Sequence, residues 1–416
     1  MPRVDIFSLG VGVAAFYFVF FLLVPLLQAL GVDVGVPNTT PLSREAAAVI
    51  GAGLAGLLGG YLLLPRSLVR RVPDVFAEAW DYRRAAWVVG ILATLGIVGK
   101  IVRIAGGGYF HIGRSTSFLS SPFVSLIGYL DWVWLIAFGI ALLVYYALAH
   151  DGALHARRWG VVSGALFAIG AVFAVFSCGR EGVFLIVILY LLIRWYAKRI
   201  AWWKVILSIA LAVAIIFPLG NVCRSEAGRD HFFSEVTRGE TITAPVSAAV
   251  RVASDSFFSR INHSFTITHV VAFDLEDFMS SFLQDIFVNL GPPRFLWADK
   301  PVSINARGNE FGHRIGVLAP DDPLTAVGPT LPGELFINFG VAGVLIGMFL
   351  FGLLLKFLYV YLIARGVLTL SGILVHGVAW LTLLRGLEVW AVPLIAGFVK
   401  LFIFLLVIHF IVRKRS

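Results

Sequence analysis

Stretch after stretch of this chain is apolar for the ~20 residues a helix needs to cross a hydrocarbon layer of ~30 Å. That pattern decides most of what the chain can fold into. The runs fall near residues 6–30, 46–64, 85–105, 126–148, 159–177, 182–197, 202–219, 332–363, 367–385 and 390–412, about ten in all, the sixth short and the eighth long. Within a bilayer only a helix or a closed barrel satisfies its own backbone. A barrel would alternate apolar and polar residues, and these runs do not. Charged residues make up 14% of the chain, against roughly 25% in soluble domains. The expected fold is therefore an all-α polytopic membrane protein of about ten transmembrane helices. The first run lacks a small-residue cleavage site, so it is expected to be retained as a span.

The short connections set the orientation. Arg66, Arg70, Arg71, Arg83 and Arg84 lie in one; Arg157 and Arg158 in another; Arg194, Lys198, Arg199 and Lys204 in a third; Arg413, Lys414 and Arg415 follow the last run. All fall on one side, and the positive-inside rule makes that side cytoplasmic, with both termini on it. Three segments follow. Residues 1–220 form an N-terminal transmembrane bundle of about seven helices, 221–331 a large extracytoplasmic loop or cap, and 332–416 about three C-terminal transmembrane helices. The middle segment is basic, and translocated segments of this length are exempt from the charge rule, so its arginines need another reason.

Some patterns look like motifs. Gly51, Gly53 and Gly56 match the dinucleotide-binding GxGxxG spacing, but that motif follows a strand and opens an amphipathic helix. Here it lies inside a span with Gly59 and Gly60 after it, so close helix packing is the expectation. Asp274-Leu275-Glu276-Asp277 loosely suggests a metal-binding acidic motif, though a solvated turn or helix start has the same composition. His263 and His269 are six residues apart and do not share a helical face. With no zinc-type His/Cys spacing, neither metal nor cofactor is expected, and nothing points to nucleic acid. Cys178 and Cys223 both fall at expected outer helix ends, as a bridged pair or as two small interfacial residues.

Three outer groups are candidates for chemistry. Arg180 and Glu181 sit in a short turn at the hydrocarbon edge, where charges are used, paired or serve as anchors. Arg224, Glu226 and Arg229 follow the seventh run, where snorkelling side chains are also common. The third runs from Pro292 through Trp297, Lys300, Arg307, Glu310, His313 and Arg314 to Pro332-Gly333-Glu334. Its prolines, glycines and aromatics describe an ordered loop rather than a flexible tether. Before it, Val246, Val250, Ala253, Phe257, Ile261 and Phe265 make an apolar stripe at helical spacing, which suits amphipathic helices on the membrane surface. Guanidinium groups grip phosphate through a planar donor fork, so a lipid-linked pyrophosphate is the simplest anionic ligand beside a greasy bundle.

Pro293-Arg294-Phe295-Leu296-Trp297-Ala298-Asp299-Lys300-Pro301, Gly308-Asn309-Glu310-Phe311-Gly312 and Pro332-Gly333-Glu334-Leu335-Phe336-Ile337-Asn338-Phe339-Gly340 resemble segments of the bacterial O-antigen polymerase (Wzy-like) family. The chain departs from an Arg-x10-Gly spacing of that family at Arg180, Arg307 and Arg314. The resemblance implies a metal-independent glycosyltransferase that polymerises undecaprenyl-pyrophosphate-linked repeat units on the periplasmic face of the bacterial inner membrane. It also implies membrane lipid, a chain-length regulator and a flippase as partners. Arg180, Arg224, Arg307 and Arg314, with Lys300 in reserve, would hold the leaving pyrophosphate. Glu334, Glu310 and His313 are the candidate bases, Glu334 first. A carboxylate there also suits a helix N-terminus. A ligase using the same donor is the nearest alternative. A transporter is a further one, expected to show inverted repeats that this chain lacks.

Overall fold

The computed structural model describes residues 5–32, 42–105, 123–176, 180–224, 262–273, 275, 282–292, 297, 300, 304–316, 318 and 327–414. For 105, 123–128, 175, 176, 180, 181, 215–224, 282–284 and 304–307 it describes the main chain. The helices, in chain order, are α1 (Leu9–Ala29), α2 (Arg44–Leu63), α3 (Arg66–Arg70), α4 (Tyr82–Ala105), α5 (Phe123–His150), α6 (Ala156–Phe176) and α7 (Arg180–Lys198). They continue as α8 (Trp202–Arg224), α9 (His263–Ala272), α10 (Phe282–Leu290), α11 (Ile304–Arg314), α12 (Leu331–Leu362), α13 (Leu370–Arg385) and α14 (Ala391–Val412). Among the described residues there is no strand, only one isolated bridge between Trp80 and Arg413. Among the described residues, seven helices are long and apolar enough to cross a membrane: α1, α2, α4, α5, α6, α12 and α14. The protein is an all-α polytopic membrane protein.

Contacts divide the chain into two units. The first holds Met1–Val75, Phe258–Leu368 and Ala379–Leu405. Its main crossing is α2 on α12, made possible by glycine. A Cβ on Gly56 would lie 2.4 Å from the Leu345 carbonyl oxygen, and one on Gly60 would lie 1.9 Å from that of Phe349. Gly352 returns the approach, facing the Leu57 carbonyl at 2.2 Å. These are main-chain neighbours, so no side chain fits between the helices, and Gly53 and Gly56 of the GxGxxG pattern serve packing while a Cβ on Gly51 would meet nothing within 4 Å. Where Gly53 lacks a side chain, the Tyr17 hydroxyl enters and donates to the Ile50 carbonyl at 2.8 Å.

Two irregularities shape this unit. Residues Phe18–Leu23 of α1 form a π-helical turn. Helix α12 breaks at Gly340, whose φ of 64° and ψ of −165° are not helical. Such a conformation suits glycine, which has no Cβ to clash. An unbroken helix over the 32 residues of α12 would be ~48 Å long, well beyond a hydrocarbon layer of ~30 Å. The break leaves a bilayer-length limb from 341 to 362 and a short limb from 331 to 339. The basic stretch after α3 is held by α12: Tyr361 donates to the Pro73 carbonyl at 2.9 Å, and Arg365 donates to the carbonyls of Val69, Arg70 and Val72.

The second unit holds Phe76–Phe257, Thr369–Val378 and Leu406–Ser416. Helices α4 to α7 pack in sequence as up-and-down neighbours, with α8 along α7. Short connections force this antiparallel order from α5 to α8. Trp80, Ser371 and His409 form a buried polar chain inside it. Trp80 Nε1 donates to Ser371 Oγ at 2.5 Å, and that oxygen lies 2.7 Å from His409 Nδ1.

Candidate functional site

Residues 305–314 were expected to belong to an ordered loop, but they form α11. Gly308 and Gly312 read as loop signals in the sequence. In the fold they are buried, with the Gly308 carbonyl accepting from Val327 N–H at 3.0 Å and Leu318 and Val327 standing where a Gly312 Cβ would be. Gly312 thus lets the chain at Leu318 and Val327 lie directly on the helix. Phe311 and Ile315 point into a core with Val270, Leu275, Ile337 and Trp390, where the Phe311 and Trp390 rings meet edge to face at 5.8 Å. The opposite face carries Glu310 and Arg314, both exposed, with His313 half-buried. Spacings of three and four residues put these three on one side of the helix. Arg307 belongs to the same helix by its main chain.

The first limb of α12 lies on this core through Ile337 and Phe336. Its N-cap, Thr330, has φ 71° and ψ 160° and accepts from Gly333 N–H at 3.3 Å. A β-branched residue in this region is strained and persists only where its surroundings hold it. Two bonds do so here: Leu331 N–H donates to the Leu387 carbonyl at 3.2 Å, and Glu334 N–H to the Thr330 carbonyl at 2.9 Å. Glu334 is 3% exposed, and its Oε2 accepts the backbone N–H of Ala391, the first residue of α14. A carboxylate at a helix start completes an orphan donor and meets the positive end of the macrodipole. A base at this position would have to retain that bond. Lys300 donates to the Pro292 carbonyl at 2.9 Å, with its ammonium 6.0 Å from the Trp297 ring centre.

Arg180 and Arg224 belong to the second unit, where α7 begins and α8 ends. There the structure reveals a group that the sequence reading did not single out. Lys100 on α4, 6% exposed, lies 3.4 Å from Asp131 Oδ1 on α5, and Arg103 lies 3.0 Å from Asp131 Oδ2. Two cations thus face one carboxylate. The Lys100 ammonium also sits 5.4 Å from the ring centres of both Trp134 and Phe173, a cation–π arrangement. Glycine builds the niche: Cβ atoms on Gly96 and Gly170 would fall 2.8 and 2.7 Å from Trp134. That indole donates to the Leu166 carbonyl at 3.2 Å.

Phe173 lies in the last turn of α6, next to Ala174, which faces Gly182 near the start of α7. The beginning of α7, with Arg180, is therefore at the Lys100 end of the unit. The hairpin of α7 and α8 brings the main chain of Arg224 back to the same end. The signal in the sequence was a lysine and an arginine within an apolar run, followed by an aspartate in the next run. Their pairing depends on helix register and was not readable from spacing alone.

Other sequence candidates lie outside the described residues: Asp274, Glu276 and Asp277; Arg229, Arg238, Arg251, Arg260 and Arg294; Cys178; and the stripe from Val246 to Ile261. Among the described residues no three His, Cys, Asp or Glu side chains gather as metal ligands would. His263 stacks on Phe20 at 5.2 Å, and His269 Nδ1 lies 2.8 Å from the Phe265 carbonyl.

Fold and site together define a polytopic helical membrane protein with charged side chains engaged inside its helices. No family model, curated protein or solved structure matches the chain.

Proposed function

We propose that the protein is a bacterial inner-membrane glycosyltransferase that polymerises undecaprenyl-pyrophosphate-linked repeat units on the periplasmic face. In this reading ten helices span the membrane, both termini are cytoplasmic, and residues 221–331 form an outer cap. The acceptor hydroxyl attacks the anomeric carbon of the donor glycan, and the carbon–oxygen bond to pyrophosphate breaks. The electron pair leaves with the lipid pyrophosphate, and the hydroxyl proton passes to a base. What supports the reading most is the Lys100–Asp131–Arg103 group, two cations about one carboxylate within the helices. In low dielectric, preorganised cations of this kind stabilise charge that develops on a leaving pyrophosphate. Arg180 and Arg224 are proposed to extend that clamp, with Arg307, Arg314 and Lys300 as further phosphate ligands and Glu334, Glu310 and His313 as the candidate bases.

The test is turnover by purified full-length protein in nanodiscs given lipid-linked repeat units. A ladder of chain lengths on a gel is expected, and retained in chelator. A single transfer to a different acceptor, without a ladder, would replace polymerase by ligase; no consumption of donor would remove the glycosyltransferase reading.

A further inference from the structure

At the opposite end of the second unit from Lys100, a cavity of about 1160 Å³ opens between α5, α6 and α7. Its rim is cationic, with Arg157 from the start of α6 and Arg194 and Lys198 from the last turns of α7. No carboxylate appears among its described lining residues. Basic residues at helix ends are often solvated anchors, so charge alone decides nothing. Here the cations are arranged on aromatic surfaces. Arg194 Nη1 donates to the Tyr190 hydroxyl at 2.5 Å, with its guanidinium carbon 5.7 Å from that ring centre, and the Lys198 ammonium is 5.7 Å from the Tyr146 ring centre. The Arg194 Nε–H is buried and meets no acceptor among the described residues. A buried donor without a partner asks for one, and phosphate oxygens accept well from a guanidinium.

The floor is different in character. Phe138, Leu142 and Phe167 line it, and Phe138 lies about three turns, or ~16 Å, along α5 from Ala149 at the rim. A free phosphate would occupy the rim and leave this apolar depth empty. We propose that the cavity binds an anionic phospholipid, its phosphate against Arg157, Arg194 and Lys198 and an acyl chain along Phe138 and Phe167. Basic pockets between transmembrane helices select such headgroups. The site is separate from the Lys100 group and does not depend on the glycosyltransferase reading.

Gly164 provides a test that leaves the charge intact. It lies on the cavity wall, and a Cβ there meets nothing within 4 Å, so Gly164→Trp fills the space without a clash at the backbone. Native mass spectrometry of the full-length protein in detergent would be run with added phosphatidylglycerol, phosphatidylcholine or inorganic phosphate. We expect a retained one-to-one phosphatidylglycerol adduct that phosphatidylcholine does not match. Arg194→Gln with Lys198→Gln should weaken it by more than tenfold, at about fivefold per neutralised cation. Gly164→Trp should weaken it as well, while Arg158→Gln and Lys204→Gln, which do not line the cavity, should leave it unchanged. Gel filtration of each variant separates lost binding from lost folding. Equal retention of the two lipids, or full retention in Gly164→Trp, would overturn the proposal. Displacement of the lipid by inorganic phosphate would reassign the rim to a free phosphate and also overturn it.

Discussion

Replacing Gly60 by Ala adds one methyl group to the α2–α12 crossing, where its Cβ would lie 1.9 Å from the Phe349 carbonyl oxygen and 2.8 Å from the carbonyl carbon. Both neighbours are main chain, so no rotamer change relieves the overlap. The helices must part by about 1.5 Å to restore ordinary contact at 3.4 Å. A gap of 0.5–1 Å already forfeits roughly a quarter to a half of each contact's attraction. Overpacking of this type costs about 1–3 kcal/mol, and the better helix propensity of alanine returns at most about 1 kcal/mol. A net loss of up to about 2 kcal/mol is expected once that full gain is subtracted. Gly51, on the same helix, provides the internal control, because its Cβ would meet nothing within 4 Å. Gly51→Ala should stay within about 0.5 kcal/mol of the parent. The assay is unfolding of the full chain by increasing SDS fraction in mixed micelles, followed by tryptophan fluorescence. A Gly60 variant as stable as the parent beside a damaged Gly51 variant would refute the packing account and reopen the dinucleotide pattern.

Asp131→Asn leaves Lys100 and Arg103 facing each other. The buried-pair penalty of about 3–5 kcal/mol shrinks here because the Asp131 side chain is 38% exposed. A loss of about 2 kcal/mol is expected, largely restored in Lys100→Met with Asp131→Asn, as a double-mutant cycle in the same SDS titration would read. Glu334→Gln keeps an acceptor for the Ala391 N–H but loses the charge at the helix start, so it should cost about 0.5–1 kcal/mol. If Glu334 is the base, the same substitution abolishes ladder formation; if it only caps α14, turnover persists. Arg314→Ala removes an exposed side chain, so stability should hold within about 0.5 kcal/mol while turnover falls if the residue binds pyrophosphate. Unchanged turnover would remove Arg314 from the clamp.

Much of the fold was legible because bilayer length and backbone satisfaction act on local sequence. Helices stand at each expected run, from Leu9–Ala29 to Ala391–Val412, and the span expected over 332–363 occurs as Leu331–Leu362. Its break at Gly340 was hidden, since a glycine in an apolar run reads equally as packing. Helix α11 was hidden too, because Gly308 and Gly312 signal a loop until Leu318 and Val327 are seen to occupy the missing side-chain volume of Gly312. The site was less legible than the fold. Glu334 is a candidate by its position before an apolar run, but its bond to Ala391 links residues 57 apart in sequence. Lys100 and Asp131 are 31 apart, and only the rotational setting of α4 against α5 makes them partners.

The π-helical turn in α1 bears on how this chain tolerates change in length. Leu9, Val13, Tyr17 and Phe21 are all buried, at steps of four residues. In a regular α-helix each such step drifts ~40° around the axis, so over three steps the seam would wander off its neighbour. The wider turn at Phe18–Leu23 absorbs that drift and returns Phe21 and Val24 to the packed side. A wide turn of this kind amounts to one extra residue accommodated without breaking the helix. Deleting a single residue there would tighten the turn to an ordinary α-helical one and leave the upstream and downstream parts in phase, whereas a deletion upstream of it re-phases the helix by ~100°. Single-residue length variation in α1 should therefore be tolerated within 18–23 and poorly tolerated between Leu9 and Tyr17, where no slack exists.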